Sequence, residues 1–178
     1  GYPKTFLILD EEDKKAMLSV VFEDLGITGR DITIQEAVDH IGWRKGGRGY
    51  VKTLIHADME ELLDLVKSAS TLKDKILYRY FYEQRKCFAL DFDDLVYFAI
   101  YILEHSREAR EKWQQRLEYI MVDEFQDIDK DQYTLTDILS GYHHNLFVVG
   151  DPDQTIYTWR GADVKFILEF PTRHPGAK

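Results

Sequence analysis

Two short apolar runs ending in acidic residues decide the fold class, and the first reads Tyr119-Ile120-Met121-Val122-Asp123-Glu124. The second reads Asn145-Leu146-Phe147-Val148-Val149-Gly150-Asp151. Short apolar runs bounded by turn residues are typical of buried strands in a parallel sheet. Between the runs, Asp129 is placed to cap a helix that Gly141 ends. Strand, helix and strand within about thirty residues predict one βαβ unit with parallel strands.

The sequence before Tyr119 predicts helices. Apolar residues recur there at helical spacing, and capping residues stand in front of several of these stretches. The expected helices cover about 11–24, a short stretch after Thr33, a stretch from Asp58, 72–86, a stretch from Phe92, and 106–117. The glycine-rich stretch from Gly42 to Tyr50 predicts a loop instead. A last helix is expected after Gly161 and before Pro171.

The predicted fold is therefore α/β but mostly helical. An all-α domain is expected over residues 10–117, and a partial α/β domain over residues 118–178. Two parallel strands do not make a stable sheet, because their outer edges and parts of their faces stay uncovered. The chain is therefore expected to be an internal segment of a larger protein. The open edge of the second strand is expected to stay uncovered or to pair with another copy of the chain.

The composition limits the class of protein but does not indicate which reaction or ligand it serves. The chain has 178 residues, 44% of them hydrophobic, with a formal net charge of −9. These values favour a globular protein and argue against one that coats nucleic acid by bulk charge. No apolar stretch approaches the roughly 18 residues of a membrane span, and no signal peptide is evident. One cysteine, Cys87, indicates a reducing compartment, so a cytoplasmic location is expected.

Asp123 and Glu124 follow the first predicted strand directly. Ligands of parallel α/β sheets bind beyond the carboxyl ends of the strands. One carboxylate there can hold Mg²⁺, and a second can orient and deprotonate an attacking water. The alternative is that the two acids only end the strand and cap the next turn.

The segment after the second strand adds polar and aromatic groups at the same sheet end. Gln154 can donate to a phosphate oxygen or hold a water. Tyr157 and Trp159, with the cation Arg160, suit stacking on unpaired bases. The alternative for both aromatic residues is burial in the core.

These two segments resemble motifs II and III of the UvrD/PcrA/Rep family of superfamily 1 DNA helicases. Two further stretches are similar to segments of that family, Phe6–Asp10 and Leu90–Leu95. The resemblance implies a RecA-like P-loop NTPase fold for the βαβ unit and a helical 1B-like insertion for the domain before it. It also implies ATP and Mg²⁺ as cofactors. Asp123 would bind the Mg²⁺, Glu124 would act as general base toward the attacking water, and Gln154 would contact the γ-phosphate.

The resemblance also implies a DNA-binding side. Tyr157 and Trp159 would stack on bases of the single strand, and Arg160 would help to fix that loop. Gln126 and Asp127 would connect motif II to motif III. The implied activity is ATP-driven movement along single-stranded DNA from 3′ to 5′ and unwinding at junctions between single and double strands.

One family element is absent from the sequence. No Gly-x-x-x-x-Gly-Lys-[Ser/Thr] pattern occurs, and the stretch from Gly46 to Gly49 lacks the lysine. The segment alone is therefore expected not to hydrolyse ATP, and its partners would include the remainder of the helicase chain. Two alternatives stay open: the motor segment of a RecB/AddA-like helicase-nuclease, and a non-catalytic module that binds DNA or a partner.

A basic cluster in the predicted loop is a second candidate site. Arg44, Lys45 and Arg48 lie close together with no acid among them. By resemblance this region belongs to the helical insertion near the duplex, so contact with duplex phosphates is expected. The alternative is a mobile, solvated loop. Farther along, Asp91 is expected to cap a helix, with Asp93 and Asp94 on its solvated face.

Overall fold

The computed structural model describes residues 2–157 and 161–177 and divides the chain into two compact units, residues 1–97 and 98–178. The division falls inside helix α6, which runs from Phe92 to His105. Most of the described residues lie in helices, and the strands are short and parallel, which confirms the mostly helical α/β class. The domain boundary after residue 117 stays a prediction.

Five further helices form most of the first unit, and side-chain caps begin four of them. Asp10, Thr33 and Asp58 each close a capping box, while Thr71 accepts a hydrogen bond from the backbone N–H of Asp74. The helices are α1 Glu11–Leu25, α2 Ile34–Lys45, α3 Tyr50–His56, α4 Met59–Ser68 and α5 Leu72–Lys86. Their buried side chains include Leu18, Val21, Leu54, Leu62, Ile76, Leu77 and Phe81.

The loop predicted from Gly42 to Tyr50 is wrong over most of its length. Helix α2 continues through Gly42 to Lys45, and α3 already begins at Tyr50. Glycine lowers helix propensity by only about 1 kcal/mol, which apolar burial of Ala37 and Ile41 on the same helix offsets. Only the turn from Gly46 to Gly49 remains irregular.

The first unit also contains a small sheet that the helical pattern did not indicate. Strand β1 (Leu7–Leu9) pairs in parallel with β2 (Ala89–Asp91), so that Leu9 lies opposite Asp91. All three residues of β2 are buried. The short strand β2 leads directly into α6, and this places Asp91 at the start of that helix.

The predicted βαβ unit lies in the second unit and is confirmed. Strands β3 (Ile120–Val122) and β4 (Leu146–Val148) are parallel, with Met121 opposite Phe147. Helix α8 (Lys130–Ser140) connects them, and Asp129 caps it with a capping box. Helix α7 (Arg107–Arg116) precedes the unit.

The second unit ends in two short helices rather than one. Helix α9 covers Lys165–Leu168, and α10 covers Phe170–Arg173. Helix α9 ends before Pro171 as predicted, and Pro171 itself lies in the first turn of α10, where its missing N–H costs no hydrogen bond. The fully buried Phe125 forms the centre of a small core with Ile128 and Phe166.

One face and the outer edges of the β3–β4 sheet carry no cover from the described residues. Met121 is 78% exposed and Phe147 is 61% exposed, while their strand neighbours turn toward the core. Within the described part of the chain, β4 pairs with β3 alone. None of the described helices is long and apolar enough to cross a membrane.

Candidate functional site

The acid pair forms a tight turn at the carboxyl end of β3. Glu124 adopts a left-handed backbone with φ 51° and ψ 40°, which side-chain-bearing residues rarely take. Its N–H donates to Oδ1 of Asp123 at 2.9 Å. Both side chains are exposed. Strain of this kind persists only where the surroundings impose it, and it concentrates at functional sites.

Gln126 joins this turn to the turn that follows β4. The Gln126 side chain, in a residue that is only 1% exposed, donates from Nε2 to Oε2 of Glu124 at 2.7 Å. Its Oε1 accepts from the backbone N–H of Asp151 at 3.0 Å. One buried amide therefore holds both segments that the sequence singled out.

Backbone contacts bring the same two segments together. The N–H of Phe125 donates to the carbonyl of Val149 at 2.9 Å, which extends the β3–β4 pairing past the last strand residue. Farther on, the backbone N–H of Ile156 donates to Oδ1 of Asp127 at 3.3 Å. The predicted connection of the two motifs through Gln126 and Asp127 is thus present.

Gln154 lies at the end of a short 3₁₀ turn, Pro152–Gln154, that Asp151 caps through the N–H of Asp153. The Gln154 side chain donates from Nε2 to Oδ2 of Asp151 at 2.7 Å. A continuous path of hydrogen bonds therefore runs from Glu124 through Gln126 and Asp151 to Gln154.

The aromatic part of the site is only partly described. Tyr157 is 38% exposed, and its carbonyl accepts from the N–H of Ala162 at 3.3 Å. That Tyr157 stacks on unpaired bases stays a prediction. Trp159 and Arg160 lie outside the described residues.

The carboxylates fit a magnesium ion that a nucleotide helps to hold. Among the described residues, neither Asp123 nor Glu124 forms an ion pair. The described part of the chain also has no group of three or more acidic, histidine or cysteine side chains that would hold a metal by itself. Mg²⁺ in phosphate-transfer sites takes one or two carboxylates and completes its shell with phosphate oxygens and water.

Comparison with known proteins identifies the family to which the chain belongs. The family model of the UvrD/REP helicase N-terminal domain matches residues 1–175. This chain belongs to that family. The finding confirms the resemblance on which the roles of Asp123, Glu124 and Gln154 were predicted.

Curated relatives include two proteins named ATP-dependent DNA helicase PcrA. The Staphylococcus epidermidis protein (strain ATCC 35984) is 34% identical over 182 residues, covering 100% of this chain and 24% of its own length. The Staphylococcus aureus protein (strain Mu50) is 35% identical over 177 residues, covering 99% of this chain and 23% of its own length. The chain therefore spans about a quarter of the length of the relatives it matches.

In this UvrD/REP domain the predicted basic cluster is not a uniform cationic surface. The Lys45 side chain is only 1% exposed, and its Nζ lies 2.6 Å from Asp91 and 2.8 Å from Asp94. Arg44 pairs with Asp74 at 2.6 Å. The prediction that Lys45 contacts DNA phosphates is therefore wrong, because its ammonium group is buried against two acids. Both acids come from later in the sequence. Arg44 and Arg48 stay predictions.

The solvated face expected at Asp93 and Asp94 is also wrong for Asp94, which is completely buried. The Asp94 carboxylate accepts from the hydroxyl of Tyr50 and from Nε2 of Gln84. Asp91 caps α6 as predicted, accepting from the Asp94 N–H at 3.0 Å. Burial would raise the pKa of Asp91, but the charge of Lys45 and the hydrogen bonds from Lys45 and Asp94 together lower it. Burial raises the pKa of Asp94 in spite of Lys45.

Two residues of the site were undervalued by sequence reasoning. For Gln126, only the resemblance implied a connection between the two motifs. In the structure its buried side-chain amide bonds to both turns and lies at the centre of the site. Asp151 was placed at the sheet end without a defined partner. Its signal was present in the order Asp151-Pro152-Asp153-Gln154, because Asp before Pro is typical of a turn in which the Asp side chain accepts from a backbone N–H downstream.

Proposed function

We propose that this chain is the part of an ATP-dependent DNA helicase that links the nucleotide to the single strand. The observation that carries this proposal is the hydrogen-bonded path from Glu124 to Gln154. This path joins the proposed general base of motif II to the side-chain amide of motif III. A pair of acids that only ended a strand would need no such path. Family membership and the names of the PcrA relatives support the same function.

The nucleotide side of the proposal assigns one task to each polar group. Asp123 binds Mg²⁺ through its exposed carboxylate, and the bound ion would neutralise phosphate charge. Glu124 orients the attacking water and takes its proton. Gln154 donates from its amide to an oxygen of the γ-phosphate. Charge development in phosphoryl transfer is spread over those oxygens, so positioning and hydrogen bonding are the main contributions that the protein makes.

The DNA side of the proposal starts at Tyr157, three residues after Gln154. Tyr157 and Trp159 stack on bases of single-stranded DNA, and Arg160 fixes the loop beside the strand. The direction of movement is 3′ to 5′. Arg44 and Arg48 contact duplex phosphates near the junction between single and double strands.

The setting of this activity follows from the same reasoning. The rest of a helicase chain supplies the phosphate-binding loop that the sequence lacks, so the 178 residues alone do not hydrolyse ATP. That remainder, rather than a second copy, covers the open edge of the β3–β4 sheet. An exposed single cysteine, Cys87, suits the reducing environment of the cytoplasm.

The test is ATP hydrolysis by the full-length helicase that carries this chain, measured with and without single-stranded DNA. Glu124→Gln removes the proton acceptor and is expected to lower kcat by about 10²- to 10⁴-fold. Glu118→Gln is the matched control, since Glu118 is an exposed acid just before β3 and outside both motifs. Hydrolysis by the Glu124 variant at the rate of the control would overturn the proposal.

A further inference from the structure

We propose that a cavity in the first unit binds a small aliphatic diamine, a ligand with two ammonium groups joined by a short carbon chain. The cavity lies between α1, α2, α5 and the start of α6, and its volume is about 210 Å³. Cavities for drug-sized ligands usually measure about 300–1,000 Å³, so this one suits a ligand of only a few heavy atoms. The inference does not depend on the proposed function, because the cavity contains no residue of either motif.

The charge of the cavity wall favours a ligand with two positive charges. Four carboxylates and two ammonium groups line the cavity. The ammonium groups and their partners, each pair 2.6 Å apart, are Lys14 with Glu11 and Lys45 with Asp91. The other two acids of the wall, Asp39 and Asp93, form no ion pair with a described residue. Two carboxylate charges therefore remain for a ligand.

The two uncompensated carboxylates lie on different helices. Asp39 is on α2, where it accepts from the neutral amide of Gln35 at 2.9 Å. Asp93 is in the first turn of α6, and partial burial together with the charge of Asp91 raises its pKa. A cation beside Asp93 would relieve that repulsion. A diamine that reaches both acids would join α2 to the start of α6.

A buried hydroxyl at the cavity is the second, independent observation. Tyr80 lines the cavity and is only 1% exposed, yet its Oη has no hydrogen-bond partner among the described residues. Burial raises the pKa of this hydroxyl, and the nearby charges of Asp91 and Glu11, which line the same cavity, raise it further. A buried hydroxyl without a hydrogen bond destabilises a fold, so the Tyr80 oxygen favours a ligand that donates to it.

The apolar part of the wall favours an organic cation over a metal ion. Leu18, Val38 and Ile41 line the cavity together with the charged groups, and they suit the carbon chain of a diamine. In the described part of the chain, no three acidic, histidine or cysteine side chains are grouped to hold a metal. A lysine side chain of another protein would bring one positive charge, whereas a diamine brings the two that the wall lacks. Its ammonium groups donate to carboxylate oxygens and to the Tyr80 hydroxyl oxygen.

The test is calorimetric titration of the full-length helicase that carries this chain with 1,4-diaminobutane, at constant ionic strength and without DNA. Butylamine is the matched probe, since it has the same carbon chain and one charge. Mg²⁺ is the second probe, with two charges and no carbon chain. Asp93→Asn removes one carboxylate of the wall, and Tyr80→Phe removes only the hydroxyl. Asp64→Asn is the control variant, because Asp64 is an exposed acid of the same unit that does not line this cavity.

Asp93→Asn is expected to weaken diamine binding by about 10- to 100-fold, the usual effect of removing a hydrogen bond to a charged group. Tyr80→Phe should weaken it several-fold, and the control should bind as the wild type does. Because a ligand that binds the folded state stabilises it, the diamine should raise the Tm of the wild type and the control more than that of Asp93→Asn. Thermal unfolding without diamine confirms the fold of each variant. If Tyr80→Phe does not fold, Asp93→Asn carries the test, since Asp93 is exposed.

Four results overturn the inference. The first two are a wild type that binds no diamine and an Asp93→Asn variant that binds it as tightly as the wild type does. The third is butylamine binding as tightly as the diamine, which would identify a single ammonium group, such as a lysine side chain, as the occupant. The fourth is displacement of the diamine by an equal concentration of Mg²⁺, which would reduce the site to unspecific attraction of cations.

Discussion

Two acid pairs of this molecule lie at the ends of short parallel strands, yet they have opposite surroundings. Asp91 and Asp94 stand at the end of β2, are buried, and share the ammonium group of Lys45. Asp123 and Glu124 stand at the end of β3, are exposed, and form no ion pair with a described residue. In both places an apolar strand leads into acidic residues. Burial and counter-charge determine which pair is structural and which is available to a ligand.

The difference has a physical basis in desolvation. A buried carboxylate requires a cation and hydrogen-bond donors, and Lys45, Tyr50 and Gln84 supply them at Asp94. A carboxylate so completely partnered has no lone pairs left for a metal or a water. Asp123 accepts from the Glu124 N–H and Glu124 accepts from Gln126, which leaves lone pairs on both exposed carboxylates for a ligand. Substitutions at either pair test this difference.

The largest expected effect is at the buried pair. Lys45→Met leaves two buried acids without their cation and is expected to lower the free energy of unfolding by about 3–5 kcal/mol. Urea unfolding of this chain measures it. Lys67→Met is the matched control, since the exposed Lys67–Asp64 pair at 2.8 Å is screened by water and should contribute little to stability. Equal effects of the two substitutions would mean that the buried network does not stabilise the fold.

Gly150→Ala applies the same question to the exposed pair. The added methyl group would lie 2.4 Å from Oε1 of Gln126, so we expect a loss of about 1–3 kcal/mol in unfolding free energy together with reduced ATP hydrolysis. Gly47→Ala, which meets no atom within 4 Å, should change neither quantity by the same route. A fully active Gly150→Ala protein would show that the close approach at Gln126 has no function.

Acid titration should distinguish the pairs by a smaller effect. Because Lys45 lowers the pKa of Asp91 in the folded protein, the unfolded chain binds the proton more tightly. Asp91 therefore contributes stability above the ordinary aspartate pKa of about 3.9, and this contribution is lost as the pH falls through the lowered folded value. The raised pKa of Asp94 acts in the opposite sense, its contribution being lost as the pH rises.

The measurement that isolates Asp91 is the difference in unfolding free energy between wild type and Asp91→Asn. It should be largest above about pH 4, near the ordinary aspartate pKa, and should shrink toward pH 2. A difference that stays constant over that range would contradict the ion pair with Lys45.

The smallest expected effect concerns Arg44 and Arg48 at the turn between α2 and α3, since Lys45 is already paired with the buried acids. Arg44→Ala with Arg48→Ala should weaken binding of a DNA junction several-fold. The slope of log affinity against log salt should fall by about 0.9 for each duplex phosphate that the protein no longer neutralises. Fluorescence anisotropy over a salt series measures both values. An unchanged slope would remove this turn from the DNA interface.

The sequence predicted the second unit better than the first, for reasons visible in particular residues. The runs before Asp123 and Gly150 are apolar and end in turn residues, so the two parallel strands and the acid pair followed from local pattern alone. The sheet between Leu7–Leu9 and Ala89–Asp91 joins stretches some eighty positions apart in sequence. Three-residue strands give no alternation to detect, and their pairing is a tertiary event.

Long-range neutralisation explains the other errors. Lys45 was expected to be exposed because no acid lies near it in sequence, and its partners at Asp91 and Asp94 follow more than forty residues later. Charge patterns in a sequence involve residues that are close together along the chain, so they do not predict a buried ion pair between distant residues. The amide bridge at Gln126 was missed as the centre of the site for a related reason. Its second partner is a backbone N–H, which carries no sequence signal.

The left-handed backbone at Glu124 bears on how such a chain would respond to selection in the laboratory. Glycine accepts that conformation without the roughly 1–2 kcal/mol that a side-chain-bearing residue loses there. A library screened for heat resistance alone would therefore enrich Glu124→Gly, since the substitution relaxes the turn. Under the proposed function, the selected proteins would be more stable but would have no proton acceptor at position 124. Selection for stability in this segment therefore needs a simultaneous screen for ATP hydrolysis.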